Sequence, residues 1–194
     1  MQNMEILEIF RKVGAYRQGH FLLSSGLHSG GYLQCALVLQ DPIIAGRLCA
    51  ALAAKFRAQE PDVVIGPAMG GIVIAYELAR ALGARALFTE RDDTGQMILR
   101  RGFKVYPENK VLVAEDVLTT GGSAKEVIAL LKKEGITPVG VTSLVDRSAK
   151  LIDFGGIKHE SLIKLDIPAF EKELCPLCKE GLPLEKPGSR KEKK

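Results

Sequence analysis

The stretch VLVAEDVLTTGGSAKEVIALLKKEG, residues 111–135, changes character twice within its length. An apolar run, Val111 to Ala114, ends on two adjacent acids, Glu115 and Asp116. Thr119, Thr120, Gly121, Gly122 and Ser123 follow, and from Ala124 a helical pattern runs to Glu134 before Gly135 supplies a stop signal. A short apolar strand that feeds a helix through a glycine turn is the repeating unit of a parallel sheet covered on both faces.

The same grammar recurs on either side. DVVIG (62–66) reads as a buried strand, ended by GPAMGG, with a helix predicted from Ile72 to Leu82 and closed by Gly83. RALFTE (85–90), TPVGVTSLVD (137–146) and SLIKLD (161–166) supply further strands, and RDDTGQMILRRGFKVYPENK (91–110) is polar with one strand over 96–100. Upstream, Ile6, Ile9, Phe10 and Val13 recur at helical spacing, and 19–39 reads as two strands joined by a Ser/Gly turn. Asp41 and Pro42 form an N-cap and first-turn pair for a helix to about Ala58. The expected fold is α/β, a mostly parallel central sheet flanked by helices, with residues 1–184 as one domain and 185–194 as a basic tail. Ligands of such sheets bind beyond the carboxyl ends of the strands, where both GPAMGG and EDVLTTGGS fall.

Composition narrows the class. The chain has 194 residues, 46% hydrophobic and 26% charged, as in a soluble globular protein. No apolar run reaches the roughly 18 residues of a membrane span, and the acids in MQNMEILEIFRKV suit an amphipathic helix better than a signal peptide, so the expected location is cytoplasmic. Of the net charge of +4, the last ten residues carry +3, which leaves a nearly neutral body and disfavours nucleic acid as a partner. Cys35 and Cys49 lie among apolar residues and read as core thiols. Cys175 and Cys178 have metal-ligand spacing, yet a zinc site needs two further ligands, from a second copy of the chain or from a residue such as His159. A thiol-bearing turn is the simpler reading. His20 and His28 read equally as turn hydrogen-bonders or as catalysts.

The glycines of Thr119 to Ser123 let backbone N–H groups converge, the helix behind them presents its positive end, and the hydroxyls add donors. This suits a phosphate monoester, although a plain turn capped by Ser123 would look similar. The loop lacks the lysine of a nucleotide-binding P-loop, and no dinucleotide fingerprint is present. Glu115 and Asp116, as strand neighbours, should point apart, which makes them a poor glycosidase pair. They are better suited to a sugar's hydroxyls, and a ribose 5-phosphate answers to both halves of the motif.

VLVAEDVLTTGGS, 13 residues, resembles the phosphoribosyl-pyrophosphate signature of type I phosphoribosyltransferases. GHFLLSSGLHSGGYLQCA, GPAMGGIVIAYELAR, RALFTER, VTSLVDRS and CPLCKEGLPLEKPGSR extend the resemblance to the orotate branch of that family, in its bacterial subgroup with a C-terminal CPLC segment. The resemblance implies transfer of the phosphoribosyl group from phosphoribosyl pyrophosphate to orotate, giving orotidine 5′-monophosphate in pyrimidine biosynthesis. It further implies a small hood built from both chain ends, Mg²⁺ as cofactor, and a homodimer. By the same resemblance Glu115 and Asp116 hold the ribose hydroxyls, directly or through Mg²⁺ and water, and Thr119–Ser123 cradle the 5-phosphate. Ala68, Met69, Gly70 and Gly71 form the pyrophosphate loop, with a cis peptide expected between Ala68 and Met69. Arg147 pairs with the orotate carboxylate, while Ser24, Ser25 and Thr119 pack around the base.

The pattern departs from the family in its lysines. Ser24 and Gly70 stand where lysines are usual, and Asp92 occupies the place of the catalytic-loop lysine, although Arg91 is kept. Arg91 with one of Arg100 and Arg101, Arg101 foremost, are the candidate substitutes, acting within the chain or across a dimer. Two other readings fit the donor motif: a phosphoribosyltransferase for a purine base, and a non-catalytic sensor of phosphoribosyl pyrophosphate.

Overall fold

The computed structural model of the chain describes residues 1–23 and 25–187. Its centre is a six-stranded sheet of β3 (Val63–Pro67), β4 (Arg85–Arg91), β5 (Met97–Leu99), β6 (Val111–Leu118), β7 (Gly140–Asp146) and β8 (His159–Lys164). The order is β5-β4-β3-β6-β7-β8, parallel throughout except for the β4–β5 hairpin. All six match the expected strands to within a few residues. β6 runs further than expected, past both acids to Leu118, because its pairing with β7 continues to Leu118 opposite Asp146. Every residue of β3 and β7 is buried, and neither strand shows an alternation of buried and exposed positions; β7 also buries Thr142, Ser143 and Asp146.

Alternate residues of β6 enter two cores. Leu112 and Ala114 face α1 (Asn3–Lys12), α3 (Pro42–Ala53) and α4 (Gly70–Leu82), where Ile6, Phe10, Leu48, Leu52, Ile74 and Leu78 are buried. Val111 and Val113 face α5 (Gly122–Lys133), whose Ala124, Val127, Ile128 and Leu131 form the buried stripe. α3 starts where the Asp41 side chain accepts from the backbone N–H groups of Ile43 and Ile44, at 2.9 and 3.2 Å. It ends at Ala53, short of the expected Ala58, because the chain turns there to bury Phe56.

Both chain ends build a second sheet, the expected hood, of β1 (Tyr16–Leu22), β2 (His28–Leu33), β9 (Ala169–Phe170) and β10 (Leu184–Glu185) in the order β10-β1-β2-β9. Residues 36–39 do not extend β2. They form α2 (Ala36–Leu39), a single turn that buries Val38 and Leu39 beside Cys35. α6 (Pro176–Lys179) lies between β9 and β10. Glu185, the first residue of the expected tail, belongs to β10 and pairs with Arg17 at 2.6 Å, while 188–194 lie outside the described residues. Among the described residues no helix is long and apolar enough to cross a membrane.

Candidate active site

The carboxyl ends of β4, β6 and β7 converge on two cavities, and the segment that leaves β6 serves both. Its exit into α5 passes through Gly121, whose φ of +73° is a left-handed conformation that glycine alone adopts freely. A methyl group on Gly121 would lie 2.9 Å from Ile152 Cγ2 and 3.0 Å from Phe154 Cζ, so no other residue fits without displacing them. The first turn of a helix has N–H groups without intrahelical partners, and here they open onto a cavity of about 220 Å³. Arg91, Glu115, Thr119–Ser123 and Glu126 line it. All five residues of the expected phosphate loop are therefore brought together.

Glu115 and Asp116 do point apart. Glu115 is buried on the α5 side and faces the small cavity. Asp116 faces the 68–71 loop, where a methyl group on Gly70 would lie 2.7 Å from its Oδ1. A side chain at position 70 would thus have to share the space with the Asp116 carboxylate. Burial pushes the Glu115 carboxyl up to about 8, with a further push from Asp116. Asp116 is also raised by burial, partly offset by the N–H of Val117, which donates to its Oδ1 at 2.9 Å. Among the described residues neither acid has a salt-bridge partner, so ionising either one is opposed by desolvation.

The larger cavity, about 760 Å³, lies under the hood and is lined by Ser25, Tyr32, Gln34, Thr119, Thr120 and Arg147, closed by 166–169 and by Lys186 and Pro187. Its volume suits a small organic ligand. Thr119 and Thr120 line both cavities, so the two are one site divided by these threonines. Arg147 is held by its backbone N–H, which donates to Leu118 O at 2.9 Å. Its guanidinium is partly desolvated, which lowers its affinity for the proton, and no carboxylate among the described residues lies within ion-pair distance. Ser24, expected beside Ser25, lies outside the described residues.

The remaining expected residues stand further out. Ala68 and Met69, with a cis peptide between them, join β3 to Gly70 and Gly71 at the start of α4, and the four line neither cavity. Arg91 reaches the phosphate loop but is engaged by Glu126 Oε2 at 2.7 Å and donates to Gly95 O at 2.8 Å. Arg101 follows the expected strand directly. It sits in the turn after β5 with φ +59°, clamped by both oxygens of Glu90 at 2.8 Å, and lines neither cavity. Asp92 does not face the site as a misplaced charge. Its Oδ1 accepts from the Thr94 hydroxyl and from the N–H groups of Thr94 and Gln96, closing the β4–β5 turn.

Sequence reasoning missed Tyr32, Gln34 and Glu126. Glu126 follows Gly122 by four residues, so helical spacing alone could have put it on the loop's face. Tyr32 and Gln34 carried no signal, because the hood that aims them is assembled from distant segments. Cys175 and Cys178 line neither cavity, and His159 is remote from them, bonded through Nε2 to Ser161 Oγ at 3.1 Å.

Residues 39–154 match the family model described as a phosphoribosyl transferase domain. The chain is 56% identical over 191 residues to the orotate phosphoribosyltransferase of Caldanaerobacter subterraneus subsp. tengcongensis, an alignment that covers 98% of this chain and all of that protein. It is 52% identical to the orotate phosphoribosyltransferase of Pelotomaculum thermopropionicum over the same shares of both. Among solved structures, the orotate phosphoribosyltransferase of Aeropyrum pernix superposes with a TM-score of 0.68 at 26% identity, covering 91% of this chain and 98% of that one.

Proposed function

This chain belongs to the orotate phosphoribosyltransferase family, and from that membership and the geometry of the site we infer how its residues perform the reaction. Phosphoribosyl pyrophosphate donates the ribosyl group: a ring nitrogen of orotate forms a bond to the ribose C1 carbon as the bond from that carbon to pyrophosphate breaks. The products are orotidine 5′-monophosphate and pyrophosphate. The observation that carries the assignment of parts is the division of one site at Thr119 and Thr120, with an anion cradle on one side and the unpaired Arg147 on the other.

The 5-phosphate sits on Thr119–Ser123, held by the N–H groups of the α5 terminus and the three hydroxyls. Orotate enters the larger cavity with its carboxylate on Arg147, whose planar fork matches it, and with Ser25 beside the ring. Glu115 and Asp116 flank the ribose and take its hydroxyls. The ribose carries growing positive charge as pyrophosphate departs, and two carboxylates beside it favour that charge. The N–H groups of Ala68–Gly71 receive the pyrophosphate.

The residues fit Mg²⁺: Glu115 and Asp116 are oxygen donors whose ionised forms lack a compensating cation, and hard cations take such ligands. Bound there with the substrate, Mg²⁺ would neutralise departing pyrophosphate. Arg91 supplements this by exchanging Glu126 for substrate phosphate. Arg101, fixed to Glu90 on an exposed hairpin, is assigned to the site of a second copy. A homodimer is supported by Met69, Val73 and Tyr76, an exposed apolar row at helical spacing on and before α4, with Ile43 exposed on α3. We place the protein in the cytoplasm, with a single domain that runs past residue 184 to take in β10.

The test is one assay of purified protein with Mg²⁺, phosphoribosyl pyrophosphate and a panel of bases. Orotate is expected to be consumed with release of pyrophosphate. Turnover of hypoxanthine, guanine or xanthine without orotate would overturn the acceptor, and binding without turnover would overturn the enzyme.

A further inference from the structure

Four side chains that the reaction does not use meet inside the hood. His20 lies on β1, His28 opens β2, Cys175 precedes α6 and Cys178 lies within it. His20, His28 and Cys175 are buried, and one ligand atom from each of the four residues lies within 4.8 Å of the others. His20 Nε2 is 2.9 Å from His28 Nδ1, 3.5 Å from Cys175 Sγ and 3.6 Å from Cys178 Sγ. Cys178 Sγ is 3.2 Å from His28 Nδ1. Donors around a tetrahedral zinc ion, with bonds of about 2.0–2.3 Å, stand roughly 3.3–3.8 Å apart. The observed spacings are close to that cage.

The tautomer is also set. His20 Nδ1 lies 2.8 Å from Leu182 O. A carbonyl can only accept, so the proton is on Nδ1, and Nε2 turns its lone pair toward the other three donors. This is the outer hydrogen bond that orients a metal-bound histidine. The means by which the chain aims His20 is visible too. Pairing between β1 and β2 shifts register between Gln18 and Phe21, and at this irregularity His20 and Phe21 are both buried although they are sequence neighbours.

We propose that His20, His28, Cys175 and Cys178 form a structural Cys2His2 zinc site that fastens the C-terminal segment to the N-terminal hairpin. Zn²⁺ binds as both thiols release their protons to solvent, so two thiolates balance the ion's charge. All four tetrahedral positions come from the protein, which leaves none for substrate and makes the site structural. Thiolate and imidazole donors select zinc over the magnesium of the active site. The joined segments also wall the larger cavity, through Leu22, Leu23 and Ser25 on one side and Lys186 and Pro187 on the other. The metal site stands independently of the proposed reaction, and only its effect on orotate rests on that reading.

The experiment is metal analysis of full-length protein purified under reducing conditions without chelator. One zinc per chain is expected, and after exchange into Co²⁺ a spectrum with thiolate-to-cobalt charge transfer and intense tetrahedral d–d bands. The Cys175→Ser/Cys178→Ser double variant is expected to lose the metal, whereas Cys35→Ala/Cys49→Ala keeps it. If the double serine variant fails to fold, the cobalt spectrum of the wild type decides. A wild-type chain that binds neither zinc nor cobalt stoichiometrically, an octahedral cobalt spectrum, or metal retained by the double serine variant would overturn the site. Zinc removal is further expected to raise the KM for orotate roughly tenfold or more while moving that for phosphoribosyl pyrophosphate little. Equal shifts in both would overturn the coupling to the cavity but leave the metal assay standing.

Discussion

Arg147 and the acid pair carry the sharpest consequences for single side chains. An unpaired guanidinium kept partly from water is poised for an anion, and truncating one partner of a desolvated charge pair costs 2–5 kcal/mol. Arg147→Ala is therefore expected to raise the KM for orotate on the order of 10²–10³-fold, with the KM for phosphoribosyl pyrophosphate nearly unchanged. Steady-state kinetics with each substrate varied separately tests this. Asp116→Asn keeps the shape but weakens a charge-assisted contact to ribose, which predicts a loss of about 10–100-fold in kcat/KM for phosphoribosyl pyrophosphate and an unaltered circular dichroism spectrum. Full activity in that variant would remove Asp116 from the sugar. Glu115 gives a signature in stability. Its carboxyl is raised from an ordinary 4.5 to about 8 in the fold, so the folded chain holds a proton that the unfolded chain releases. Stability from this group is complete below about 4.5 and is lost as pH rises through about 8. Glu115→Gln should thus melt at the wild-type temperature near pH 5 and higher than wild type at pH 9, the gap closing when Mg²⁺ and donor substrate are added. A gap that does not widen with pH would show that Glu115 is not desolvated.

At the scale of elements, the β6–α5 junction was legible, as were both strands of the β4–β5 hairpin, but not the role of the residues in the turn that joins them. Glycines and hydroxyls between an apolar strand and a periodic helix have one economical arrangement, and residues 119–123 adopt it. Gly121→Ala is expected to cost about 1–3 kcal/mol, because strained φ adds to contact with Ile152 and Phe154, and to lower the melting temperature by several degrees in a calorimetric scan. The turn went unread because Asp92 was judged by its charge. Asp92-Asp93-Thr94-Gly95 is a turn sequence, and the first carboxylate is consumed by the turn, which also holds its pKa below the usual range. Asp92→Lys, which restores the family's usual charge, should accelerate hydrogen exchange at the amides of Thr94 and Gln96. Unchanged protection there would mean that the turn closes without Asp92. The zinc ligands were half legible: the spacing of Cys175 and Cys178 marked a pair, but 155 residues separate Cys175 from His20. No local pattern spans that distance, and strict alternation would have put His20 and Phe21 on opposite faces.

For the whole molecule, the exposed row of Met69, Val73 and Tyr76 predicts self-association, and Tyr76→Asp is expected to sediment as a monomer where the wild type is a dimer. If Arg101 serves the neighbouring site, then Arg101→Ala and Asp116→Asn chains, each weak alone, should recover activity when refolded together, to about a quarter of wild type for random pairing of two-site dimers. No recovery would confine Arg101 to a structural role with Glu90. The hood has a consequence for how the molecule comes into being. β1 waits for β10, and β2 for β9, so two strands made at the start of translation have no complete sheet until Glu185 has been made. The central sheet has no such debt, since its strands come from one continuous stretch between Val63 and Lys164. A nascent chain can thus own a finished phosphate cradle before it owns a place for the base. Chains cut short of Leu182 would compete for donor substrate in the cell while making no nucleotide.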